Sequence, residues 1–260
     1  MVRESRSFFK GHFQMSIPWV AITIDVEWAP PAIAEAMLDR LAQASIPATV
    51  FCTDHPLLKI PPIHETALHP NLTGMEDWES KLDHLGSLYP GARGLRTHCL
   101  HSDTRLVRIL PKKGFRYQSN FFAPGQRVAP FRRETGLWEI PIHYMDFFHV
   151  CEPKSHAGFT AEALPQDQSL IVLDFHPVLW FLNASTSEDW DRAKQVYKDE
   201  EALQKLVRKG PGIATLFDSV IEKARQGAWK PVTLSKVADF LESRPRALWQ
   251  WPDSTSAETP

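Results

Sequence analysis

The chain has 260 residues, 43% of them hydrophobic and 23% charged, with a formal net charge of −2. That length supports one large core or at most two small ones, and the near-neutral balance without a long basic run excludes the electrostatics of a nucleic-acid binder. Three cysteines, Cys52, Cys99 and Cys151, are widely spaced and odd in number, so no disulfide framework is expected and a reducing compartment fits.

Residues 1–15 are polar and mixed and lack the apolar stretch of a secretion signal; they are expected to be a disordered lead-in. No apolar run approaches the ~18 residues that a membrane span needs. Together these readings predict a cytoplasmic protein. A single domain is expected over 16–247, followed by a polar, disordered tail over 248–260. Nothing in the sequence sets an oligomeric state.

In chain order, strand-forming runs stand at 18–24 (PWVAITI), 48–53 (ATVFCT), 94–98 (GLRTH), 115–118 (FRYQ), 138–143 (WEIPIH) and 169–175 (SLIVLDF). Helical periodicity follows or separates them. Ile33, Met37 and Leu41 recur at four-residue spacing within 32–44, and Trp78, Leu82 and Leu85 share a face within 76–88. A short helix is expected at 103–112, and longer ones at 187–207, 212–226 and 234–242. The segment 187–207 is so rich in charge that it reads as a solvated face. Strands alternating with helices imply βαβ units and a parallel sheet. The expected architecture is a single α/β domain, a regular or distorted (β/α) barrel, with an open doubly wound sheet as the alternative. No G-x-G-x-x-G follows a strand, which removes the usual mark of a dinucleotide fold.

In parallel sheets, chemistry gathers at the C-terminal strand ends. Asp25 and Glu27 end the first strand, and alternation puts them on one face, where two carboxylates repel unless a cation offsets them. Other residues on the same predicted rim are His64 and His69, Arg96, His98 and His101, His143 and Asp146, and His176. A divalent metal held by Glu27 and one or more histidines would answer the repulsion, leaving Asp25 free as a base toward water.

The order Asp-x-Glu, then HPN, then an arginine motif, an aspartate and finally His-Pro after an apolar strand resembles the polysaccharide deacetylase superfamily, also called carbohydrate esterase family four. The similarity runs from about residue 19 to 240. It is nearest the short, unexported branch linked to surface-polysaccharide biosynthesis, with HPNL and FHPVLWFLN as its motifs. The resemblance implies a distorted (β/α) barrel and metal-dependent removal of an N-acetyl group from an amino sugar in a polysaccharide or its precursor. It implies Asp25 as base, Arg96 as its fixing residue, His176 as general acid and Asp146 as support for that acid. It implies Glu27 and His69 as metal ligands, with zinc the expected ion.

One departure stands out. The family's second motif histidine falls on Thr73, whose hydroxyl is a poor zinc donor. His98 is the expected replacement, with Asn71 the weaker alternative. If neither serves, the alternative is a catalytically inactive deacetylase-like protein that binds a saccharide or a partner enzyme. Removal of a formyl group from a lipid-linked amino sugar is a further alternative. The remaining histidines at 64, 101, 143 and 149 read as structural. Trp28, Trp180 and Phe181 are candidate stacking partners for a sugar ring. KGPG at 209–212 reads as loop punctuation, with a phosphate cradle as the lesser reading.

Overall fold

A computed structural model describes residues 17–55, 57–74, 77–152, 158–166 and 168–243. The expectations for 1–15 and for the tail over 248–260 lie outside the described residues. Among the described residues, ten strands form one sheet. They are β1 (Trp19–Asp25), β2 (Ala48–Cys52), β3 (Glu65–Leu68), β4 (Gly94–Leu95), β5 (Tyr117–Gln118), β6 (Phe131–Arg132), β7 (Trp138–Glu139), β8 (Tyr144–Met145), β9 (Leu170–Phe175) and β10 (Lys230–Pro231). Their order is β6-β7-β5-β4-β3-β2-β1-β9-β8, with β10 also paired to β1, and only the β6–β7 pairing is antiparallel.

The sheet curls into a half-barrel, and chain connectivity requires it. β7 and β8 lie near opposite ends of the strand order, yet only residues 140–143 separate them. An extended chain covers ~3.5 Å per residue, so the two ends must come close together. Within this segment the backbone changes partners. Ile140 N donates to Gln118 O (2.9 Å) and Ile142 N to Phe121 O (2.8 Å), whereas His143 N donates to Val172 O (2.9 Å). Pro141 lacks a donor at the crossing point. The strand expected over 138–143 is therefore two short strands joined by a hand-over.

Alternation gives each strand a convex and a concave face. On the convex side, Val20, Ile22, Ile24 and Val50 pack with α1 (Pro31–Gln43), α5 (Pro177–Leu182) and α8 (Ile213–Arg225) in the largest core cluster. α1 begins with Pro31, whose missing donor is tolerated in a first turn, and buries Ile33, Met37, Leu38 and Leu41. On the concave side, Ala21, Phe51, Ala67, Tyr117 and Val172 pack with α9 (Leu234–Glu242). Gly94 matters here, because a Cβ at this position would fall 1.9 Å from Cζ of Tyr117.

The remaining helices are α2 (Trp78–Leu88), α3 (Thr104–Lys112), α4 (Asp146–Cys151), α6 (Ser187–Ala193) and α7 (Glu200–Gln204). The single helix expected over 187–207 is divided into α6 and α7. Asp199 restarts the chain by accepting a hydrogen bond from Ala202 N at 3.0 Å. Nor is the segment merely a solvated face, since Trp190, Ala193 and Leu203 are buried. No helix among the described residues is long and apolar enough to cross a membrane.

Candidate active site

The concave face turns polar at the C-terminal end of the sheet. Thr23 and Asp25 alternate onto it from β1, and Asp174 and His176 do so from β9, where Thr23 is in register with Asp174. His69 directly follows β3 and is tied there by its N–H to Cys52 O (2.7 Å); Arg96 directly follows β4 and is tied by its N–H to Leu68 O (2.9 Å). A cleft of about 310 Å³ opens over these groups.

Arg96 is fully buried, with its guanidinium 4.2 Å above the ring of Phe51. Its Nη1 donates to Asp25 Oδ1 (2.9 Å), to Thr23 Oγ1 (2.9 Å) and, at very short range, to Asp174 Oδ1. Its Nε and Nη2 are spent on Ser119, through the carbonyl oxygen (3.0 Å) and Oγ (3.0 Å). The expected pairing of Arg96 with Asp25 is thus present, but the arginine also serves a second acid. Asp174 is completely buried, and its Oδ2 has no hydrogen-bond partner. Burial raises the Asp174 carboxyl to about 7 against the opposing pull of Arg96, and the nearby Asp25 charge adds to the rise. Sequence reasoning missed this residue, although an acid inside LIVLDF, two positions before His176, carries a signal.

His176 Nδ1 lies 2.7 Å from Asp146 Oδ1, and His176 N donates to Asp146 Oδ2, also at 2.7 Å. One carboxylate thereby fixes both the ring and the backbone of the histidine. Burial alone would push the imidazole down, but the Asp146 charge and hydrogen bond outweigh it and raise the ring to about 10. Trp28 stacks on this ring at 4.8 Å and 10°. Trp28 sits at φ 66°, a left-handed conformation unusual for a bulky residue and of the kind that concentrates at functional sites.

Glu27, His69 and His98 offer ligand atoms that all lie within 4.8 Å of one another. Glu27 Oε2 is 2.5 Å from His98 Nδ1 and 3.3 Å from His69 Nε2. Burial pushes Glu27 up, but the His69 and His98 imidazoles beside it hold it well below the usual carboxylate range. His69 is buried, with Nδ1 3.8 Å from Asp25 Oδ2, and neither ring nitrogen has a hydrogen-bond partner. A buried imidazole with both nitrogens orphaned is costly, and a carboxylate with two imidazoles is a zinc-type donor set. The residues present fit such an ion.

The structure brings Asp25, Glu27, His69, Arg96, His98, Asp146 and His176 to one rim. Thr73 and Asn71 stay outside it: both are exposed, and the Asn71 side chain accepts the Thr73 N–H at 3.0 Å. His98 does not extend a strand, as the 94–98 expectation required. β4 ends at Leu95, and His98 opens a tight turn in which Cys99 and Leu100 both take positive φ. Trp180 and Phe181 pack against the convex core rather than the cleft, with Trp180 6.1 Å from Phe217. His64 and His143 are tied to backbone groups on both ring nitrogens. KGPG does not cradle an anion. The amides of Ala214 and Thr215 that begin α8 already donate to Asn183 Oδ1, at 3.0 and 3.3 Å.

A curled parallel sheet carrying an Asp25–Arg96 pair, an Asp146–His176 pair and a three-donor cluster on its C-terminal rim defines an α/β half-barrel of the deacetylase type. The chain belongs to the WbmS-like polysaccharide deacetylase family, whose model matches residues 22–194. Two solved structures are similar. One is from Bordetella bronchiseptica, assigned as a polysaccharide deacetylase involved in O-antigen biosynthesis; it is 22% identical, with a TM-score of 0.71 over 78% of this chain and 90% of that one. The other, assigned as a polysaccharide deacetylase from Mycobacterium smegmatis, is 16% identical, with a TM-score of 0.53 over 90% of this chain and 91% of that one. No curated protein matches the sequence.

Proposed function

We propose that the chain is a metal-dependent carbohydrate N-deacetylase that hydrolyses the N-acetyl group of an amino sugar. The substrate class is a surface-polysaccharide precursor handled in the cytoplasm, in line with the O-antigen assignment of the Bordetella bronchiseptica relative. The observation that carries the reading is His69, buried between Asp25 and Glu27 with both ring nitrogens unpartnered.

Glu27, His69 and His98 would hold the ion, zinc by the nature of the donor set. Bound there, it supplies Lewis acidity toward the acyl carbonyl and water. Asp25 accepts the proton of the attacking water, and Arg96 holds it in place through a hydrogen bond to Oδ1. Of the amides at 97–100, Thr97 N is spent on Asn120 Oδ1, His98 N on Pro70 O and Leu100 N on Thr97 O. Cys99 N–H has no partner among the described residues and is the donor we assign to the developing oxyanion. His176, kept protonated by Asp146, gives its proton to the departing nitrogen. The inactive-binder alternative rested on Thr73, and the His98 ring, with Nδ1 2.5 Å from Glu27 Oε2, supports the active reading over it.

The test is acyl release, as acetate or formate, from a panel of N-acylated amino sugars by zinc-loaded protein. Asp25→Asn is expected to lower kcat by about 10²–10⁴-fold with metal content intact. Glu27→Ala is expected to lose both activity and metal. Equal metal loss in the two variants would reverse their roles, and no acyl release from any sugar by the metal-loaded wild type would overturn the proposal.

A further inference from the structure

The cleft wall carries the next inference. Above the acid–base rim it is built from Trp28, Leu100, Phe122, Met145, Phe147 and Phe148. The rings brace one another: Phe122 lies 5.1 Å from Phe148, Trp28 5.6 Å from Phe147, and Phe147 5.7 Å from Trp190. Such a wall cannot easily rotate a polar group into view.

The other lining residues are spoken for. Asp25, Glu27, His69, His98 and His176 are committed to the scissile group. The Thr97 hydroxyl donates to His101 O at 2.6 Å. Among the described residues, only the Trp28 indole N–H and the Cys99 thiol remain as polar side-chain groups on the wall.

An ordinary N-acetylhexosamine presents several hydroxyls around its ring. Each one buried without a partner loses its hydrogen bonds to water and gains nothing in return. A methyl group or a ring hydrogen in the same place gains contact area.

We infer that the cleft takes a deoxy amino sugar, one in which a hydroxyl that would face this wall is replaced by hydrogen, leaving a methyl group or a ring hydrogen against it. The inference rests on the deacetylase reading and narrows its substrate class. Phe148 and Met145 are the specificity-determining positions, since they form the wall on α4 and at the end of β8.

The experiment compares acetate release by zinc-loaded protein from the methyl glycosides of N-acetylglucosamine and of its 6-deoxy counterpart, which differ by one oxygen. The 6-deoxy sugar is expected to show kcat/KM about ten- to a hundredfold higher, the range over which an apolar pocket rejects an added hydroxyl. Phe148→Tyr and, independently, Met145→Gln each add a hydrogen-bonding group to the wall, and each is expected to bring that ratio toward one. A wild-type ratio at or below one, with acetate released from both sugars, would overturn the inference while leaving the deacetylase reading intact. Release from neither sugar would strike the deacetylase reading, and this inference with it.

Discussion

Asp25 and Glu27 stand two residues apart on one face, yet the fold gives them opposite company. Asp25 meets a guanidinium, whereas Glu27 meets two imidazoles. That division was legible in the sequence, because alternation and the order of acid, histidine, arginine and histidine motifs constrain the rim. His98 was legible for the same reason, as a histidine two residues past Arg96. The test at this scale is a pair of variants. His98→Ala is expected to drop bound zinc from about one ion per chain to near none. Thr73→Ala is expected to leave metal content unchanged, because Thr73 is exposed and its amide is turned to Asn71. Metal analysis of the purified variants checks both. Asp174 was not legible in the same way. A buried acid is tolerable only beside its counter-ion, and Arg96 lies 78 residues away in sequence. The acid inside LIVLDF is a local sign, but nothing local announces its counter-ion.

At the scale of elements, the long strands β1, β2 and β9 and the amphipathic helices were readable, because their side-chain periods are set by burial over many residues. The short elements were not. β3, β6, β8 and β10 were not among the expected strands, and the run over 138–143 read as one strand, because short ladders and hand-overs are decided by the neighbouring strands. KGPG shows how tertiary contact settles an ambiguous motif. Gly212 lies against Asn183, whose side chain occupies the first turn of α8, and a Cβ at 212 would sit 2.2 Å from Asn183 O. Gly212→Ala is accordingly expected to destabilise the fold by about 1–3 kcal/mol, through a forced shift of packed backbone. Denaturant unfolding would measure it, and an unchanged midpoint would refute this account of the glycine.

For the molecule as a whole, pH offers a clean readout. His176 titrates near 10 in the folded protein, against about 6.5 for an unperturbed histidine. A folded value above the unfolded one means that the pair with Asp146 stabilises the fold fully below about pH 6.5. That contribution is lost as pH climbs through about 10. Activity that needs the protonated ring is expected to fall on the same alkaline limb. Asp146→Asn removes the charge that lifts the ring, so the limb should move to lower pH, as would be seen in the pH profile of kcat. An unmoved limb would mean that another group sets it.

The sheet order also has a consequence in time. Asp25 ends β1 near the start of the chain, His176 follows β9, and β1 is flanked by β2, β9 and, later still, β10. Thr23 and Asp174, which meet beneath Arg96, are 151 residues apart in sequence. Contacts of such long range form slowly, since the intervening chain must be ordered before they are rewarded. During synthesis the rim therefore cannot exist until β9 has emerged and docked beside β1. Until then Arg96 lacks Asp174, its second acid, and His176 has not joined Asp25 on the rim. The site is a late event in the life of the chain, and a nascent or truncated fragment ending before His176 would lack the Asp146–His176 pair.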